Sequence, residues 1–224
     1  MNEIVETYIE PIYFRLIRND EPGANKIYIL IHGWLGNETS MSIFSSALPQ
    51  LSTTIYPRGI VKLKNNQYGW VDFRNSTANF EEYELVATKL INSIIGLQNA
   101  FDIQKPEQKI NLIGFSQGAA MCAVLSILYP ELFNKVAILA GFLPAYPPKQ
   151  TDKDLSSLHY YVAHGTEDQL VSFDKSLEIK NYLEQRQAKV HFCKEDIGHK
   201  VGKNCLNNLK KFFSAEENLA NEPE

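Results

Sequence analysis

Residues 110–125 read INLIGFSQGAAMCAVL. The apolar run ends at Gly114. Ser116 then stands between Gly114 and Gly118, and a stretch of small apolar residues follows. A short apolar run bounded by glycine predicts a strand buried on both faces. The stretch after Ser116 reads as a helix to about Tyr129, with Pro130 marking its end. A serine at a strand-to-helix turn is either part of a tight Gly-rich turn or a nucleophile lifted above a sheet. The rest of the chain decides between these readings.

Apolar runs of the same kind recur along the chain. KIYILIH (26–32), KVAILAG (135–141) and LHYYVAHG (158–165) each read as buried strands, and TTIYPRG (53–59) as a weaker one. KVHFCKE (189–195) alternates in the manner of a half-buried strand. Helical patterns lie between them. One covers 39–48, entered from Thr39 or Ser40. A long one covers 79–101, with Phe80, Tyr83, Val86, Leu90, Ile94 and Leu97 at steps of three and four. Two more cover 173–187, with Ser172 as N-cap, and 203–213. Strands apolar nearly throughout, alternating with helices, predict an α/β fold with a mostly parallel central sheet and helices on both faces. The early ETYIEPIYFRLIR supplies one or two antiparallel edge strands. The connections are short, so no separate cap domain is expected. The reading is one domain over 1–214 and a frayed acidic tail over 215–224.

Composition narrows the function. A chain of 224 residues can bury a sizeable core without metals or disulfides. Its net charge is −4, and no Lys/Arg cluster exceeds the pair Lys210–Lys211, which excludes a nucleic-acid binder. Cys122, Cys193 and Cys205 are too few for a disulfide framework and read as buried small hydrophobes. No metal-ligand cluster and no phosphate loop is found, so neither metal nor cofactor is called for. No stretch approaches the length of a membrane span. The opening MNEIVETYIEPIYF has acids where a signal peptide has a basic region, so a cytoplasmic protein is expected. Nothing in the residues fixes whether the chain forms a homo-oligomer.

In an open α/β sheet, functional groups gather beyond the carboxyl ends of the strands. His32-Gly33-Trp34-Leu35-Gly36 follows the first buried run, and Ser116 follows the 109–115 run. Thr166-Glu167-Asp168 follows the next-to-last strand and Asp196-Ile197-Gly198-His199 the last. Serine, then acid, then histidine is the α/β-hydrolase order. A serine hydroxyl needs a base within hydrogen-bond reach, and His199 can take and return its proton. A carboxylate, here Asp168, would orient the imidazole and stabilise its cation. The helix opening after Ser116 presents backbone N–H groups to developing negative charge.

These stretches resemble the small α/β-hydrolase family of carboxylesterases, lysophospholipases and acyl-protein thioesterases. LIHGWLGN (30–37), LIGFSQGAAMCAVL (112–125), LAGFLP (139–144), AHGTEDQLV (163–171) and GHKV (198–201) carry the resemblance, which spreads over 26–214. It implies Ser116 as nucleophile, Asp168 rather than Glu167 as acid, and His199 as base. It also implies an oxyanion hole made by the backbone N–H groups of Trp34 and Gln117; for Gln117 the amide, not the side chain, is the part that matters. The sequence departs from the family pattern at Trp34, where a large aromatic either narrows an acyl pocket or packs beside it, and at Gln169 and Ser172, where prolines are common.

Other residues carry two readings each. Tyr68, Trp70 and Phe73 either wall a pocket or pin their loop to the core; Tyr68 and Trp70, with Trp34, are taken as pocket candidates. His32 either shapes the oxyanion loop or is structural, and His159, His164 and His191 read as structural. Glu195 and Asp196 read as solvated loop acids. The function expected is a serine hydrolase cleaving a small carboxylic ester through an acyl-enzyme. The alternatives are a thioesterase, a peptide-like bond hydrolase, or a binding module that has lost turnover.

Overall fold

The computed structural model describes residues 2–19, 21, 26–74, 78–103, 108–145 and 153–215. The acidic tail, apart from Ala215, lies outside them. Among the described residues are ten strands: β1 (Asn2–Ile9), β2 (Ile12–Asn19), β3 (Lys26–Ile31), β4 (Ser52–Pro57), β5 (Val61–Lys62), β6 (Tyr68–Gly69), β7 (Ile110–Phe115), β8 (Phe133–Leu139), β9 (His159–Gly165) and β10 (Lys189–Glu195). Eight form one sheet in the order β1-β2-β4-β3-β7-β8-β9-β10, and β5 and β6 make a separate short ribbon. From β4 to β10 every neighbouring pair is parallel. β2 pairs antiparallel with both β1 and β4, so the early segment supplies the antiparallel edge.

Because successive side chains on a strand point to opposite faces, the sheet builds two cores. Ile27, Ile29 and Ile31 of β3 join Leu112, Val136 and Tyr160 on one face. Tyr28 and Leu30 join Ile113, Ala137 and Tyr161 on the other. The first face is covered by α1 (Phe80–Phe101), α2 (Gln117–Leu128) and α3 (Phe173–Glu184). The second is covered by a 3-10 helix (Ser40–Ala47) and α4 (Lys203–Ser214). Among the described residues, no helix is long and apolar enough to cross a membrane.

Local signals set the helix ends. Asn79 caps α1 by accepting from the Glu82 amide while the Glu82 carboxylate accepts from the Asn79 amide, a reciprocal capping box. Thr39 and Ser172 occupy cap positions, as expected, but make no side-chain cap bond. Every residue of α2 from Gln117 to Ile127 is buried. A helix apolar all round belongs inside, and this one lies between the sheet and α1.

The cysteines need a correction. Cys122 is free and buried, as expected, but Cys193 and Cys205 are joined in a disulfide. Their positions, one on β10 and one in the first turn of α4, come together only when α4 folds back along the sheet edge. Spacing in sequence carries no trace of that.

Candidate active site

The turn after β7 is over-determined. A Cβ on Gly114 would lie 2.2 Å from the Gly118 carbonyl oxygen, and one on Gly118 would lie 2.1 Å from the Ile31 carbonyl oxygen. Only glycine lets α2 approach β3 and β7 this closely. Ser116 pays for the sharp reversal with φ 54° and ψ −118°, a conformation rare for any side-chain-bearing residue. Its carbonyl accepts from the Ala119 and Ala120 amides and its own amide donates to Leu139. The hydroxyl is thereby held above the sheet at the helix N-terminus.

Two other strand ends bring their side chains to it. His199 Nε2 lies 2.9 Å from Ser116 Oγ, and His199 Nδ1 lies 2.7 Å from Asp168 Oδ2. A carboxylate only accepts, so Nδ1 carries the hydrogen toward Asp168 and Nε2 presents its lone pair to the serine hydroxyl. Asp168 is buried, whereas Glu167 is exposed. Asp168 Oδ1 accepts from the amides of Leu170 and Val171. Burial pushes the Asp168 carboxyl pKa up, but those amides and His199 outweigh it and hold it below the usual carboxylate value. His164, fully buried, adds a further contact: its Nε2 lies 2.8 Å from the Val171 carbonyl oxygen and 3.3 Å from Asp168 Oδ2. Both are acceptors, so Nε2 bears the hydrogen and steadies the carboxylate.

The loop after β3 closes the other side. The position a Cβ would take on Gly33 is 3.2 Å from Ser116 Cβ. His32, completely buried, fixes this loop: Nε2 accepts from the Gly59 amide at 2.9 Å, and Nδ1 donates to the Gly33 carbonyl at 2.7 Å. Burial drives its pKa down to about 4, so it is neutral and holds the loop rather than moving protons. The Trp34 ring packs over Gly69 and against Phe73, with centroids 4.5 Å apart.

Beside this arrangement opens a cavity of about 400 Å³, lined by Trp34, Met41, Ile43, Phe44, Phe115 and Leu206 among others. Trp34 is on its wall; Tyr68 and Trp70, the other pocket candidates, are not. Trp70 is fully buried, and its indole N–H donates to the His32 carbonyl at 2.8 Å. The Arg58 guanidinium lies over the rings of Tyr13 (3.9 Å) and Tyr68 (4.9 Å), while Glu38 pairs with it through two short bonds. Trp70 is therefore the aromatic that pins this loop to the core.

Two further readings are corrected. The Gln117 side chain does matter: buried, it accepts from the Trp70 amide at 2.8 Å and donates to the Val71 carbonyl at 2.6 Å, tying the aromatic loop to the serine turn. Glu195 is no solvated acid. Its carboxylate accepts from the Asn204 and Cys205 amides and caps α4. A glutamine opening an otherwise apolar helical run was the available hint for the first; nothing in the sequence links Glu195 to a helix start beyond the histidine.

A mostly parallel sheet with a serine on a strand-to-helix elbow, and an acid and a histidine beyond later strands, defines an α/β hydrolase. Comparison with known proteins narrows the class. The chain belongs to the phospholipase/carboxylesterase family, whose model matches residues 14–216, and is thus a carboxylic-ester hydrolase. It is 24% identical over 215 residues, covering 88% of this chain and 81% of the relative, to a probable carboxylesterase SOBER1-like protein of Arabidopsis thaliana. Among solved structures, the Bacillus cereus carboxylesterase superposes with a TM-score of 0.81 at 20% identity, over 92% of this chain and 94% of that one. The Mesorhizobium loti carboxylesterase gives 0.78 at 16%, over 94% and 99%.

Proposed function

We propose that the chain is a serine esterase working through an acyl-enzyme. Ser116 attacks the ester carbonyl while His199 Nε2 takes its proton, and Asp168 stabilises the imidazolium that forms. The Gln117 amide, first in α2, and the Trp34 amide receive the oxyanion. His199 then protonates the departing alcohol, and water releases the acyl group by the same route reversed. The observation that carries this reading is the unbroken chain Ser116 Oγ, His199, Asp168 at 2.9 and 2.7 Å, ending in a buried ionised carboxylate. The apolar cavity supports a substrate with one apolar arm, an acyl chain or an alcohol of medium size.

The test is hydrolysis of nitrophenyl esters of increasing chain length by the wild type and Ser116→Ala. The variant should lose about 10⁵-fold or more in kcat, with rates in the wild type rising from acetyl to medium chains. Equal rates in the two proteins would remove Ser116 from the reaction. Matched thioesters in the same panel report the leaving-group preference.

A further inference from the structure

His199 stands on a segment closed by a covalent bond. Cys193, late on β10, and Cys205, in the first turn of α4, are disulfide-bonded across 12 positions, with His199 between them. The near half of that segment is fastened to the turn bearing Asp168. The Glu167 amide donates to the Ile197 carbonyl, and the Thr166 hydroxyl donates to Asp196. The far half, from His199 to the start of α4, is fastened to β10 by the Glu195 carboxylate on the α4 amides and by the disulfide, and to β9 by Tyr161, whose hydroxyl donates to the Cys205 carbonyl at 2.7 Å. The same segment supplies Lys200 and Val201 to the cavity wall, and Leu206 follows Cys205 directly. Cys193 lies partly exposed on the sheet edge, whereas Cys205 is buried.

We propose that the Cys193–Cys205 disulfide positions His199 and that its reversible reduction slows the enzyme. The proposal rests on Ser116 and His199 acting as above. A dithiol reductant attacks at Sγ of Cys193, the partly exposed residue of the pair, forming a mixed disulfide and releasing the Cys205 thiolate. The second thiol of the reductant then closes its own disulfide and releases Cys193. Two electrons and two protons pass from the dithiol to the two cysteines, and the reductant leaves oxidised. Cys122, sealed inside α2, takes no part. With the bond open, the start of α4 is held by the Glu195 cap, the Tyr161 hydrogen bond and its packing, and the span bearing His199 loses its covalent closure, so its distance from Ser116 varies more. The fastening to the Asp168 turn survives, so activity falls without vanishing.

The experiment uses the intact protein and a fluorophosphonate probe. After oxidation, thiol titration of denatured protein should count one thiol, Cys122, and after dithiothreitol three. Reduction should lower the second-order rate of Ser116 labelling, and kcat/KM with a nitrophenyl ester, by about 10-fold. Final labelling should stay at one probe per chain, and reoxidation should restore the rate. Cys193→Ala should label slowly in both conditions. Equal rates in the two thiol states would overturn the proposal. So would a fall in final labelling at unchanged rate, the mark of partial unfolding, or three free thiols after oxidation. Absence of labelling in every state would instead bring down the assignment of Ser116, and this proposal with it.

Discussion

Ser116 and His199 meet at 2.9 Å, yet the segments that carry them are buried to different degrees and held by different means. The serine turn is enclosed by packing. Its glycines touch neighbouring backbone, and its helix is buried on every side. The histidine segment follows an edge strand whose residues are all exposed or partly exposed; its Ile197 and Gly198 carbonyls lie against Gly165, and hydrogen bonds to Thr166, Glu167 and Asp168, a helix cap and a disulfide hold the rest. In the proposed mechanism Ser116 attacks from one fixed strained conformation, and close packing is what sustains strain of about 1–3 kcal/mol. In that mechanism His199 needs only to reach the serine and pass a proton, so a segment at the sheet edge serves it.

Substitutions that separate the two modes of support should differ in size. The largest effect is expected at the acid that joins them. Asp168→Asn keeps the shape but favours the wrong imidazole tautomer, and kcat should fall about 10⁴-fold. Glu167→Gln, at the exposed neighbour, should change it little; the reverse result would reassign the acid.

Next comes a pair of glycines. Gly118→Ala drives a methyl into the Ile31 carbonyl and should cost more than about 4 kcal/mol of stability, measured by urea unfolding. In Gly198→Ala the nearest atom to the new methyl is the Glu167 carbonyl oxygen at 3.9 Å. Stability there should stay within about 0.5 kcal/mol. Equal losses at the two sites would erase the contrast between packing and tethering.

His32 offers a test by pH. Its folded pKa, about 4, is depressed below the 6.5 of a free histidine. The unfolded chain therefore takes up a proton that the folded one refuses. The resulting stability is fully present above pH 6.5 and is lost as pH falls toward 4, by about 3 kcal/mol for this one group. His32→Gln should flatten the unfolding free energy over that window; an unchanged slope would show that other groups set it.

The smallest expected effect lies at the brace behind the serine. Gln117→Met leaves the Trp70 amide and Val71 carbonyl without that partner. Stability should drop by about 2 kcal/mol, with a larger fall in kcat/KM than stability alone explains if the aromatic loop relaxes.

The packed region is the one that was legible in the residues. Buried strands announce themselves as unbroken apolar runs, and Gly114, Ser116 and Gly118 sit where such a run becomes a helix. The placement of Asp168 and His199 beyond later strands followed from the same pattern. The tethered region was not legible, because its ties join residues that only the fold brings together. Cys193 and Cys205 look like two isolated small side chains, and Glu195 looks like one more surface acid. The braces behind the site were hidden for a related reason. An aromatic in a loop reads alike whether it lines a cavity, as Trp34 does, or plugs the core, as Trp70 does.

The burial of α2 sets an order in which the protein comes apart. The amides beneath Ser116 should exchange with deuterium only when the whole molecule opens, since no partial opening exposes a helix enclosed on every side. The amides between Gly198 and Gly202, on the rim of the sheet, can exchange through far smaller excursions. Under mild heat or denaturant His199 should therefore part from Ser116 while the elbow is still folded, and activity should disappear before the tertiary structure does.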